Sequence, residues 1–91
     1  MKINLKGKNV KDLEGNDFPD SDMAKLTINA LLEGAEGDAI RLYELSMKLN
    51  TGECEVNESE LELIETRLKA SRSIFLIGKA QILLELKKFR L

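Results

Sequence analysis

Carboxylates are the side chains of this sequence that come closest to a chemical pattern. Glu58 and Glu62 are four positions apart, which places two carboxylates on one face of a helix, where a pair can do acid–base work. That face is predicted to be exposed, with no buried surroundings to tune the pair for catalysis. The carboxylates between Asp17 and Asp22 lack the central glycine and terminal glutamate of a calcium loop. We therefore expect neither a catalytic pair nor a calcium site.

Other reactive residue types are scarce. Histidine is absent, which excludes imidazole bases, histidine-containing triads and histidine metal sites. Cys54 is the only cysteine, and its neighbours Glu53 and Glu55 disfavour the thiolate that a nucleophile needs. Gly7-Lys8 lacks the further glycine and the serine or threonine of a phosphate-binding loop. The sequence thus predicts no catalytic residue, no metal and no cofactor.

Charges are segregated along the chain, although its formal net charge is only -2. Residues 53–65 contain glutamates and no base, whereas residues 66–91 are strongly basic. Such blocks are typical of solvated helix faces that pair with one another. A nucleic-acid site is the alternative, because these sites cluster lysine and arginine. Its candidate basic patch is Lys79, Lys87 and Arg90.

The elements that must position these residues are predicted to be mainly helices. In residues 1–19, Ile3 and Leu5 alternate with polar residues, and the Glu-Gly-Asn sequence at 14–16 supplies a turn. Residues 20–91 carry four amphipathic helical patterns. We therefore predict a mainly α fold: one small four-helix domain, with a short extended or hairpin-like N-terminal arm that ends at the proline of position 19.

Capping residues and glycines mark the helix boundaries. The predicted N-caps, in chain order, are Asp20 or Ser21, Asp38, Asn57 and Ser73. Asn57 is the clearest of these signals, because Glu60 at the third helical position completes a capping box. Gly34 and Gly52 are natural stops for the first two helices.

Apolar stripes on the helices predict the core. The second helix is apolar over more than half of its circumference, so we expect it to be the central and most buried one. The residues predicted to be largely buried are Leu42, Tyr43, Leu45, Met47, Leu61, Ile64, Leu68, Ile77 and Leu84.

The fourth helix carries two apolar stripes, whereas a helix in a small monomer needs only one. Surplus apolar surface must be covered by the N-terminal arm, by a second copy of the chain or by another partner. A symmetric dimer is the commonest solution. We therefore predict self-association, with the arm covering the fourth helix as the alternative. The candidate self-association surface is Phe75, Ile82, Leu86 and Phe89.

Several segments together resemble small helical proteins encoded by tailed phages and prophages. They are Asn-Ala-Leu-Leu at 29–32, Arg-Leu-Tyr-Glu-Leu-Ser-Met-Lys-Leu at 41–49, Glu-Ser-Glu-Leu-Glu-Leu-Ile at 58–64 and Ile-Gly-Lys-Ala-Gln at 77–81. A hairpin-like entry at 10–16 belongs to the same resemblance. The resemblance implies a phage or prophage origin and suggests no activity.

These observations favour a non-enzymatic helical protein–protein interaction module, either an assembly accessory or a modulator of a host protein. It would act as a homo-oligomer or with a protein partner. The alternative is a small nucleic-acid-binding or transcription-modulating protein that uses the basic C-terminal segment. The sequence shows no signal peptide and no apolar stretch long enough to span a bilayer, so we expect a cytoplasmic protein with no membrane partner.

Overall fold

The structure is a computed structural model that describes residues 1–34 and 36–90. The helices within these residues are α1 (Met23–Leu32), α2 (Ala39–Asn50), α3 (Glu58–Ala70) and α4 (Leu76–Lys88). The strands are β1 (Lys2–Ile3), β2 (Asn9–Lys11), β3 (Asp17–Asp22) and β4 (Cys54–Glu55). All four predicted helices are thus present, but two small antiparallel sheets replace the simple arm.

Strands β2 and β3 form the predicted hairpin. The Asp12 carboxylate accepts hydrogen bonds from the backbone N–H of Glu14 and of Asn16, each 2.9 Å long. Gly15 has a φ of 89°, the left-handed conformation that glycine adopts most easily. The predicted end of the arm at Pro19 is wrong, because β3 continues through this residue to the start of α1. Proline is tolerated there because β3 pairs only with β2 and is an edge strand.

Strand β1 pairs with β4, which lies in the connection between α2 and α3. Ile3 lies opposite Cys54, and the N–H of Val56 donates to the carbonyl of Met1 at 2.9 Å. Each strand has two residues, so neither carries enough alternation to be recognised from sequence. The first residues of the chain are therefore part of a sheet that reaches the middle of the sequence.

The cap of α1 differs from the prediction. Asp22, not Asp20 or Ser21, accepts the N-capping hydrogen bond, from the N–H of Lys25 at 3.3 Å. Asp20 has a φ of 53°, outside the extended region that an N-cap adopts. Ser21 is buried, and its hydroxyl accepts a hydrogen bond from the N–H of Val10 at 3.1 Å. The helix starts later because its first candidates belong to the hairpin.

The starts of α2 and α3 confirm the predicted caps. The carboxylate of Asp38 accepts a hydrogen bond from the backbone N–H of Arg41, in the first turn of α2, at 3.1 Å. Asn57 accepts from the N–H of Glu60 at 2.8 Å, and the Glu60 carboxylate accepts from the N–H of Asn57 at 3.0 Å. The prediction for α4 is wrong: its N-cap is Phe75, with no side-chain capping bond, and Ser73 lies before it. The hydroxyl of Ser73 instead donates a hydrogen bond to the carboxylate of Glu33, the C-cap of α1.

Every helix contributes to one hydrophobic core, together with the N-terminal segment. Ile3, Leu5 and Val10 are almost completely buried, so the segment predicted to be an arm supplies part of that core. The burial of the predicted core residues Leu42, Leu45, Leu61, Ile64 and Leu68 is confirmed.

Three of the predicted core residues are exposed instead: Tyr43, Met47 and Leu84. Ile77 is only partly buried. Leu84 lies on the face of α4 opposite the buried Ile82. For Tyr43 and Met47 the reason is the position of α2, which packs mainly against α1 and lies at the outside of the domain. Only one face of this helix is covered, although apolar residues occupy most of its circumference.

Candidate functional site

The structure divides the predicted self-association surface between core and solvent. Ile82 and Leu86 are 0% and 1% exposed, so these two residues belong to the core and not to an outer face. Phe89 packs partly buried against that core. Phe75 is 40% exposed, and its ring makes an edge-to-face contact with Phe18 of β3 at 5.1 Å between centroids. The hairpin thus covers this side of α4 within one chain, which was the alternative that the sequence left open.

Two members of the predicted basic patch make contacts within the chain. Arg90 contacts the carboxylates of Glu58 at 2.9 Å and Glu65 at 2.6 Å. Lys79 donates to a backbone carbonyl of α3 at 3.3 Å. Lys87 is exposed to solvent. At Arg90, therefore, the acidic and basic blocks pair with each other.

An exposed apolar stripe runs along α2. Ile40, Tyr43 and Met47 are 72%, 60% and 54% exposed and are spaced so that all three project from one helix face. We call these three residues the α2 stripe. Large apolar side chains at consecutive turns form a continuous surface, unlike the scattered exposed apolar residues found on most proteins.

One border of the α2 stripe carries charges of both signs. Arg41, Glu44 and Lys48 lie on this side of the helix. The guanidinium of Arg41 donates to the hydroxyl of Ser59 at 2.8 Å, and the ammonium of Lys48 contacts the carboxylate of Glu60 at 2.9 Å. Both contacts attach α2 to the start of α3. The basic groups that flank the stripe are thus held in defined positions.

A second exposed stripe lies on α4, on the side opposite its core residues. Leu76 and Leu84 are 82% and 58% exposed, and Ala80 lies between them at helical spacing. We call these three residues the α4 stripe. Its neighbours on the helix surface are Lys87 and Lys88, so its border is basic.

A cleft of about 780 Å³ lies between β2 and α4. Glu85 of α4 contacts Lys8 across it at 2.6 Å and Lys88 on its own helix at 3.1 Å, and the hydrogen bond from Lys8 is the main cause that lowers the pKa of Glu85. Lys11 pairs with Asp17 on the same wall. The charged lining of the cleft is thus three lysines and two carboxylates, and the pair between Lys8 and Glu85 attaches the hairpin to α4.

Gln81 strengthens the same attachment. Its side-chain oxygen accepts from the N–H of Lys11 at 2.9 Å, and its side-chain nitrogen donates to the carbonyl of Lys11 at 2.5 Å. A single amide thus satisfies both backbone groups of one residue on the edge of β2. The sequence gives no indication of this role, since the two residues are far apart in the chain.

The end of α1 is held by Arg67 of α3. One terminal guanidinium nitrogen donates to the carbonyls of Leu31 at 2.9 Å and Glu33 at 3.1 Å, and the other donates to the carbonyl of Glu36 at 3.2 Å. The last carbonyls of a helix have no partner within it, so Arg67 satisfies groups that would otherwise need water. Its Nε is buried without a hydrogen-bond partner among the described residues.

The carboxylate of Glu33 extends this junction to the connection between α3 and α4. It accepts hydrogen bonds from the hydroxyls of Ser73 at 2.6 Å and Ser71 at 2.7 Å, and from the N–H of Arg72 at 2.9 Å. These bonds, that from Ser73 above all, lower the pKa of Glu33 to about 2. The junction is thus a structural clamp in which Arg67 and Glu33 hold the end of α1 against α3 and the connection to α4.

Cys54 lies half-buried in β4 and not in a loop. Burial is the main cause that raises the pKa of its thiol, so the unreactive protonated form is favoured. Among residues 1–34 and 36–90, no group of three potential metal ligands comes together. In the same part of the chain, no helix combines the length and the apolar character needed to cross a membrane.

Among residues 1–34 and 36–90, the α2 stripe therefore stands out as an apolar surface that no other described residue covers. The sequence pattern predicted two of its residues, Tyr43 and Met47, to be in the core. Comparison of the chain with protein-family models, curated protein sequences and solved structures finds no match.

Proposed function

We propose that this chain is a non-enzymatic helical protein–protein interaction module that binds through the α2 stripe. The observation that carries the proposal is the exposure of Ile40, Tyr43 and Met47 on one face of α2. The phage-type resemblance adds the biological setting to the proposal: an assembly accessory or a modulator of a host protein.

The composition of the stripe supports a protein partner. Tyrosine and methionine are enriched where proteins meet, since tyrosine combines a large apolar ring with a polar tip and methionine adapts to irregular surfaces. The charged border with Arg41, Glu44 and Lys48 provides the polar rim that usually surrounds an apolar contact. Binding would remove the three large side chains from water, which is favourable in proportion to the apolar area buried.

The nucleic-acid alternative has less support. Arg90 is paired with Glu58 and Glu65, and Lys8 and Lys88 share Glu85, which reduces the positive charge available to phosphates. If the alternative were correct, the protein would be retained on a heparin column and released as the salt concentration rises.

A pair of variants tests the proposal. Tyr43→Glu introduces a charge into the α2 stripe, and Leu76→Glu does the same at an even more exposed apolar position of α4. A host lysate is passed over wild type and both variants, and each retained protein is identified, purified and titrated against the three chains by calorimetry. We expect wild type and Leu76→Glu to bind the same protein and Tyr43→Glu to bind it at least tenfold more weakly.

The chain itself counts as a partner in this test, because self-binding through the same face is also an interaction. Circular dichroism must show that both variants remain helical. The proposal fails if wild type neither self-associates nor binds any purified candidate, or if Tyr43→Glu binds as tightly as wild type.

A further inference from the structure

We propose that the occupant of the α2 stripe is a second copy of this chain, packed with its α2 antiparallel to the first. This inference rests on the proposed function and specifies its partner. The argument depends on how the apolar and charged residues of α2 are ordered along the helix axis.

The apolar residues of α2 are arranged so that an antiparallel copy matches them. If Tyr43 lies beside Tyr43 of the second copy, Ile40 falls within one residue, or about 1.5 Å along the axis, of the second copy's Met47. The same match occurs a second time by symmetry. The branched side chain of each Ile40 thus meets the flexible side chain of a Met47, and the two Tyr43 rings lie at the centre of the contact.

The charged border matches in the same register. In two antiparallel helices the same border of each helix lies side by side. Glu44 of one copy then falls within one residue of the second copy's Arg41, so opposite charges lie along the rim. Such complementarity fixes the register of a contact and disfavours wrong partners.

The other border of the stripe permits close approach. Ala39 and Asn50 lie on this side of α2, and neither carries a charge. Small or uncharged side chains here let the axes of the two helices approach to roughly 8–10 Å, the usual distance between packed helices. A contact formed by one 12-residue helix from each copy is small for a permanent dimer. We therefore expect association that depends on concentration.

The α4 stripe does not have these properties. Lys87 and Lys88 border it, and the acid nearest to them on α4, Glu85, already contacts Lys8 and Lys88 within the chain. Among the described residues of α4, no free acid on this border can pair with the lysines of a second copy, so the α4 stripe lacks the opposite charges that border the α2 stripe. Self-association through α4, as the sequence suggested, is therefore less favourable than association through α2.

Light scattering coupled to size exclusion measures the contact directly. The chain has a mass of 10.2 kDa, and we expect the wild-type mass to rise toward twice this value as the concentration increases through the micromolar range. Tyr43→Glu should keep the monomer mass throughout, while Leu76→Glu should follow wild type. Ile40→Glu replaces Tyr43→Glu if that variant loses its helical circular dichroism.

A charge exchange tests the orientation. Arg41→Glu alone and Glu44→Arg alone should each raise the dissociation constant of the dimer, by about threefold or more, because each places like charges together at two symmetric positions. In the double variant that carries both changes, the dissociation constant of the dimer should return to within about twofold of the wild-type value. Only an antiparallel contact with these two residues opposite each other predicts this recovery.

The possible results separate this inference from the proposed function. A wild-type mass of 10.2 kDa up to about 1 mM, dimers that survive both Tyr43→Glu and Ile40→Glu, or dimers lost in Leu76→Glu would each overturn the second-copy assignment. If the chain stays monomeric yet binds a purified host protein through Tyr43, the proposed function stands and only the partner is wrong. A dimer without recovery in the double variant overturns the antiparallel register.

Discussion

Two helix junctions in this molecule are stabilised in opposite ways. At the start of α3, Asn57 and Glu60 exchange hydrogen bonds between side chains and backbone within one helical turn. At the end of α1, the stabilising groups are Arg67 and the segment around Ser71–Ser73, more than thirty positions away from Glu33. The first junction can form as soon as the local chain becomes helical. The second exists only when α1, α3 and the start of α4 are already assembled.

The difference determines how far the consequences of a mutation extend. Loss of a local cap weakens one helix end, with a cost that is well known from other helices. Loss of a long-range clamp leaves several groups without partners, two of them partly buried carbonyls, and loosens three helices at once. We therefore expect the α1 junction to contribute more to global stability, although nothing in the sequence marks it.

The largest effect is expected for Arg67→Met. This change keeps much of the side-chain volume but leaves the carbonyls of Leu31, Glu33 and Glu36 without their donor. We expect the free energy of unfolding to fall by about 2–4 kcal/mol, measured by urea denaturation. The control is Arg72→Met, whose side chain is exposed and which should change stability by less than about 0.5 kcal/mol. Equal effects of the two changes would show that the clamp has no special role.

An intermediate effect is expected for Glu33→Gln, and it should depend on pH. The folded-state pKa of Glu33 is about 2, below its usual value of 4.5, so the ionised carboxylate stabilises the fold. The contribution is fully present above pH 4.5 and is lost as the pH falls toward 2. The melting temperature of Glu33→Gln should therefore lie below that of wild type at pH 7, and the two should converge in this acidic range.

The comparison of two chains isolates this carboxylate, because every other acidic group titrates in both. Glu62→Gln is the matched control, since Glu62 is exposed on α3. It should leave the melting temperature close to wild type at every pH. If the melting temperatures of Glu33→Gln and wild type differed by the same amount from pH 7 to pH 2, the loss of stability would come from the changed shape of the side chain and not from its charge.

The smallest effect is expected for Asn57→Ala. Removal of this cap should lower the free energy of unfolding by about 1 kcal/mol, because one side-chain hydrogen bond of the capping box is lost. Residues 57 and 67 are roughly 15 Å apart along α3. The double variant with Arg67→Met should therefore show additive effects within about 0.5 kcal/mol, and a larger deviation would mean that the two junctions are coupled.

The same contrast explains what sequence analysis achieved. The caps at Asp38 and Asn57 and the stop at Gly34 were predictable, because each signal and its target lie within a few residues. The buried stripe of α3 was also predictable, since its helical spacing leaves one apolar face. These features require no knowledge of what packs against them.

The failures all involve residues whose surroundings come from elsewhere in the chain. Tyr43 and Met47 have the pattern of core residues, and only the edge position of α2 leaves them exposed. Ser73 is an acceptable helix cap, but it donates to Glu33 instead. Surplus apolar surface was predictable from the sequence, but its location on α2 and not on α4 required the fold.

The amide of Gln81 has a consequence for the behaviour of this protein at high concentration. An unpaired strand edge is a template on which strands of other molecules can stack, and this is a common route to aggregation. On β2 the N–H and carbonyl of Lys11 are both occupied by Gln81, and a second charged lysine, Lys8, directly precedes the strand. The hairpin edge is therefore closed to strand addition at this residue, which disfavours amyloid-like stacking of molecules that meet there.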